Sequence, residues 1–139
     1  MEREDARTIH LHIPSDAVLE PDRLNESVAR ARAFFAAHRP EWAEAPMTLH
    51  TWLLSPKLRE LLPVGSRILR FQKAFDIDRV DPDEDGGVEW IFRLTGAQTA
   101  SMKPADYPER TTLQRAAKAL MLRGGHVGEA GGVLVRPFA

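Results

Sequence analysis

Between His50 and Phe75 the chain reads HTWLLSPKLRELLPVGSRILRFQKAF, and Pro56, Pro63 and Gly65 inside it limit what it can form. Proline has no N–H and a fixed φ, so neither a long helix nor an interior strand passes through Pro56 or Pro63. The stretch divides accordingly. Met47–Leu54 reads as a strand, Ser55 as a cap, and Pro56–Leu62 as a short helix with proline in its first turn. Pro63 and Gly65 stop that helix. Arg67–Ile77 then alternates as a strand, with Leu69, Phe71, Phe75 and Ile77 on one face, broken by Lys73. Ser66, Arg70, Gln72 and Asp76 take the other face. His50, Arg70 and Gln72 are the polar residues left over for chemistry once packing and turn geometry are accounted for.

The flanking sequence completes the pattern. Ile9, Leu11 and Ile13 alternate with polar residues up to Pro14, a half-buried strand. Pro21 opens a helix whose Leu24, Val28, Ala31 and Phe35 recur at helical spacing, ending near Ala37 before Pro40. The acidic run from Asp81 to Gly87 is a turn, and Val88, Trp90, Phe92 and Leu94 alternate as a fourth strand that pairs with the third in an antiparallel hairpin. Residues 95–108 are irregular, a functional loop or a connector. Thr111 caps a helix with Leu113, Ala116, Ala117, Leu120 and Met121 on one stripe, and Gly124 is its left-handed stop. Val133–Val135 is a last short strand. The expected fold is α+β: a mostly antiparallel sheet with two main amphipathic helices packed on it.

The chain has 139 residues, 43% hydrophobic and 28% charged, enough for one domain with its own core. That domain is expected over residues 8–139, after a loose, highly charged tail over residues 1–7. A net charge of −1 with dispersed cations argues against a nucleic-acid partner. The absence of cysteine excludes disulfides, thiolate metal sites and a cysteine nucleophile. No apolar run approaches the roughly 20 residues that cross a bilayer, and the N-terminus has no signal-peptide core, so a cytoplasmic location is expected.

Four pieces in order carry a resemblance: Leu11-His12-Ile13-Pro14; HTWLLSP with LRELLP and SRILRFQKAF; Thr112-Leu113-Gln114-Arg115-Ala116; and Arg123-Gly124-Gly125-His126. Together they resemble the C-terminal domain of a bacterial family of GNAT-like acyltransferases, over about Thr8 to Val135. The resemblance implies transfer of an acyl group from acetyl-CoA or another acyl-CoA to an amine acceptor. It also implies a partner N-terminal acyltransferase domain, or self-association. GNAT enzymes hold the cofactor pyrophosphate on a glycine-rich turn before a helix, where unpaired N–H groups favour negative charge. Here Arg123–Gly128 follows a helix, and His126 stands where the first glycine of that turn is expected. A non-catalytic module that completes or docks on an acyltransferase domain is the alternative.

Within this frame His50 is the candidate general base, Arg70 and Gln72 the substrate-orienting residues, and Arg115, Arg123 and His126 the candidates for coenzyme A phosphates. The bland readings are a histidine bonded to backbone and a solvated helix end whose cations suit the dipole. His10 and His12 face one side of their strand, and His50 joins them if the first two strands are neighbours. Zinc takes such imidazoles, but no carboxylate stands at a suitable spacing and no metal is expected. Asp81-x-Asp83-x-Asp85-Gly86 begins like a calcium loop, yet Phe92 occupies the position of its last, bidentate acid. A solvated acidic turn is the simpler reading.

Overall fold

A computed structural model describes residues 7–14 and 18–139. The tail expected over residues 1–7 thus falls, apart from Arg7, outside the described residues. Four strands form one sheet in the order β1-β2-β4-β3. These are β1 (Ile9–His10), β2 (Met47–Thr51), β3 (Phe75–Asp81) and β4 (Glu129–Leu134). β1 runs parallel to β2, and β2–β4 and β3–β4 are antiparallel. The α+β class holds, with a mixed sheet in place of the mostly antiparallel one expected.

Two long helices match their expected positions. α1 (Pro21–His38) starts on Pro21, and its Asn25 amide exchanges two 2.9 Å hydrogen bonds with the backbone of Phe138. Leu24 and Val28 of α1 pack on the core. α6 (Thr112–Leu122) is capped by the Thr111 hydroxyl, which accepts from the Gln114 N–H, and Gly124 follows at φ 86°.

The intervening segments correct the sequence-based expectation. Residues 67–72 form helix α3 (Arg67–Gln72), capped by the Ser66 hydroxyl accepting from the Leu69 N–H, and the third strand begins only at Phe75. Residues 88–92 form helix α4 (Val88–Phe92), so the expected hairpin across the acidic turn does not exist; β3 pairs with β4 instead. Two short helices, α2 (Leu58–Leu61) and α5 (Gly96–Ser101), complete the set. α5 falls in the segment expected to be irregular. β2 gives way to a 3-10 turn at Trp52, and β4 begins at Glu129, four residues before the expected start at Val133.

The core lies against the sheet face that carries Leu49, Ala130 and Phe75. Phe71 stacks on Phe138 with centroids 5.3 Å apart, and Phe75 meets both rings. Thr48, His50, Glu129, Asp76 and Arg79 lie on the opposite, polar face, where His50, Asp76 and Arg79 are exposed. No described helix is long and apolar enough to cross a membrane.

Candidate functional site

The polar sheet face gathers His50 and two carboxylates at one end of the sheet. His50 on β2 pairs with Gly131 on β4, and Gly131 pairs with Arg79 on β3. Because Gly131 has no side chain, the imidazole lies across β4; a Cβ there would sit 3.2 Å from His50 Cδ2. The ring reaches Asp81 on the far strand, with Nε2 2.9 Å from Asp81 Oδ2.

A β-bulge makes that meeting possible. The register of β3 shifts between Ile77 and Arg79, leaving Asp78 as the extra residue. In a regular strand, residues 77, 79 and 81 would share a face. The bulge instead leaves Ile77 against the core and turns Arg79 and Asp81 onto the face of His50.

The His50 hydrogen bond, ahead of the nearby Arg79 cation, holds the Asp81 carboxyl below its ordinary range despite partial desolvation. The ionised carboxylate accepts, so His50 Nε2 carries the proton. His50 Nδ1 lies 3.6 Å from Glu129 Oε1, too far for a hydrogen bond. The Nδ1 lone pair is therefore available to take a proton. An imidazole oriented by a carboxylate, with its second nitrogen free, has the geometry of a general base.

Gly86 and Gly87 join this cluster to an apolar groove. A Cβ on Gly86 would collide with the Glu129 carboxylate, and one on Gly87 with the Trp52 ring. Trp52, Trp90, Ile68, Leu94, Leu113 and Arg110 are among the residues lining a groove of about 580 Å³ beyond that loop. The buried Trp52 Nε1 has no hydrogen-bond partner among the described residues. Arg93, which also lines the groove, holds φ 57° at the end of α4, a conformation unfavourable to a side chain by about 1–2 kcal/mol.

The other candidates are placed apart. Arg70 and Gln72 stand on helix α3, not on a strand beside His50. Arg70 is exposed; Gln72 is buried, and its Nε2 donates to the carbonyls of Leu53 and Ser55 at 3.0 Å each. Arg115 is in the first turn of α6 and donates to the Glu109 carbonyl and the Thr112 hydroxyl. Arg123 caps the other end, eight residues or about 12 Å along the helix. His126 Nδ1 donates to Asp85 Oδ1 at 2.9 Å, and that hydrogen bond raises its pKa. Arg115 is thus separated from Arg123 and His126. His10 Nδ1 meets the Thr48 hydroxyl at 3.1 Å, and no group of three or more metal-ligating side chains occurs among the described residues.

Asp81 and Glu129 join His50 in this cluster, and the sequence alone does not single them out. Asp81 read as part of a solvated turn. Glu129 stood in a glycine-rich stretch with no pattern to single it out.

A search of the curated proteins finds no match. Solved structures do match. An acyltransferase in complex with decanoyl-CoA is 32% identical, with TM-score 0.77 over 94% of this chain. One in complex with CoA and 10C-teicoplanin is 26% identical, with TM-score 0.79 over 98%. An acyltransferase mutant in complex with octanoyl-CoA is 29% identical, with TM-score 0.74 over 92%. The chain spans 40–43% of the length of these three proteins. The family model for the GNAT-like C-terminal domain matches residues 1–134. With that match over nearly its whole length and an acyltransferase fold around it, the chain belongs to the GNAT-like C-terminal domain family.

Proposed function

We propose that this domain takes part in moving an acyl group from an acyl-CoA to an amine, with His50 as general base and Asp81 as the residue that positions it. The observation that carries the reading is the His50–Asp81 pair on the polar sheet face, with Nδ1 unbonded among the described residues. The amine nitrogen attacks the thioester carbonyl, the C–N bond forms and the C–S bond breaks. The amine proton passes to His50 Nδ1, and the departing thiolate takes it from there. The Glu129 carboxylate stands beside that nitrogen, with Oε1 3.6 Å away. The groove beside Trp52 has the size and lining for an aliphatic acyl chain, and the similar acyltransferases hold octanoyl- and decanoyl-CoA.

A second reading is favoured by length. The chain spans 40% of the acyltransferase that holds decanoyl-CoA, so a partner domain is expected to supply part of the acceptor site, and this domain then completes it. Both readings meet one experiment: free thiol release from octanoyl-CoA with a panel of primary amines, for wild type and His50→Ala. The expected result is a loss of about 10²–10⁴-fold in the variant at unchanged thermal midpoint. Transfer within about threefold of wild type in folded His50→Ala removes the base assignment. No thiol release by the folded wild-type chain with any amine supports the completing-module reading.

A further inference from the structure

The groove beside Trp52 has an apolar body and a cationic far end. Trp52, Trp90, Leu94 and Leu113 give it apolar walls, and Arg93 and Arg110 are the only charged residues among its described lining. Neither guanidinium makes an ion pair or a hydrogen bond among the described residues, and both residues are exposed. The two ends are set by α4. Gly87, its N-cap, lies against Trp52 on the side of Glu129 and His50, while Arg93 caps its C-terminus. Six residues of helix separate them, about 9 Å.

The fold leaves these two cations without a neighbouring acid. Glu109, next to Arg110 in sequence, is taken by the buried Lys118, whose Nζ donates to Glu109 Oε2 at 2.8 Å and to the Tyr107 carbonyl at 2.9 Å. The buried Gln114 then joins the two arginine-bearing segments. Its Oε1 accepts from the Arg110 N–H at 2.7 Å, and its Nε2 donates to the Ile91 carbonyl at 3.0 Å, in the last turn of α4. Arg93 itself stands at φ 57°, in a left-handed helix stop that glycine fills without strain, as Gly124 does after α6. A long cation occupies the strained position and lines the groove instead.

Apolar walls with a few placed polar groups fix both what a pocket binds and which way round it lies. Paired guanidinium groups suit a carboxylate. We infer that the groove selects an aliphatic chain ending in a carboxylate, with Arg93 and Arg110 as the residues that recognise that end. As the acyl group of the transfer reaction, such a chain is a dicarboxylic acid joined to CoA through one carboxyl group. That identity rests on the proposed function; recognition of an apolar carboxylate does not.

Calorimetric titration of the full chain tests both parts. Octanoate is expected to bind at least about tenfold more tightly than octanol, and added salt should narrow the gap. The mono-CoA thioester of octanedioic acid should likewise bind at least about tenfold more tightly than octanoyl-CoA. Arg93→Gly combined with Arg110→Gln should abolish both preferences. The thermal midpoint of Arg93→Gly alone should be no lower than that of wild type, since the glycine relieves the backbone. Equal binding of octanoate and octanol by the folded wild type overturns the inference, as does a preference that survives in the folded double variant. A preference for octanoate with equal binding of the two thioesters assigns the groove to a free acid and removes the acyl-group identity. Both preferences without thiol release from either thioester count against the proposed function and leave the carboxylate recognition standing.

Discussion

His50 reaches Asp81 only because the residue between them on β4 is Gly131. The imidazole occupies the space a side chain there would take, with Cδ2 3.2 Å from a Cβ built at that position. Gly131→Val is therefore expected to displace the ring from Asp81 while raising strand propensity. Under the proposed function, its expected outcome is a folded protein whose acyl transfer falls at least about tenfold. The ¹⁵N shifts of His50 should move away from a fixed Nε2–H tautomer. Wild-type shifts in the variant would mean that Gly131 does not set the ring's place. His50 itself was legible in the sequence, as a polar residue alternating out of an apolar strand. Its partners were not. A one-residue bulge at Asp78 decides which face Asp81 takes, and no local pattern announces a bulge whose cause is pairing with β4.

The two helices that stand where strands are expected, α3 and α4, share a physical ambiguity. VEWIF places Val88, Ile91 and Phe92 at helical spacing, yet Val88, Trp90 and Phe92 also alternate as in a strand. In a short apolar run both periods fit, and tertiary packing decides. Here Val88, Ile91 and Phe92 are buried and Trp90 only partly, which is the helical solution. The next helix does carry a local signal. Thr95-x-x-Gln98 is a capping box, and both of its reciprocal hydrogen bonds form at the start of α5. In α3 the helix changes the role of Gln72. On a strand it read as a surface group facing substrate; on the helix its amide closes the joint between α3 and the turn after β2. Gln72→Leu keeps the volume but leaves the carbonyls of Leu53 and Ser55 without that donor. A loss of about 1–3 kcal/mol of unfolding free energy is expected in urea denaturation. A variant as stable as wild type would show that water serves those carbonyls equally well.

Two histidine–carboxylate pairs close the same end of the molecule, and they make its stability depend on pH in a defined direction. His50–Asp81 ties β2 to β3 across β4, and His126–Asp85 clips the segment between α6 and β4 onto the acidic turn after β3. Asp85 raises the pKa of His126 above its ordinary 6.5 through their hydrogen bond and charge. A raised folded value contributes stability that is complete below about 6.5 and disappears as pH rises through the folded pKa. Asp81 is lowered by His50 from an ordinary 3.8, so its contribution is present above that value and lost as pH falls through the lower folded one. Both interactions act together only between these limits. Since both pairs are partly exposed, each effect is modest and screened by salt. The expected outcome is that the thermal midpoint of wild type exceeds that of His126→Gln by most at pH 5–6. The difference should shrink toward zero by about pH 9, and high salt should diminish it. A difference that stays constant from pH 5 to pH 9 would assign the stabilisation to packing of the imidazole and not to its charge. The clip on the acidic turn would then hold Gly86 and Gly87 against Glu129 and Trp52 at every pH, and the groove beside His50 would keep its shape without help from titration.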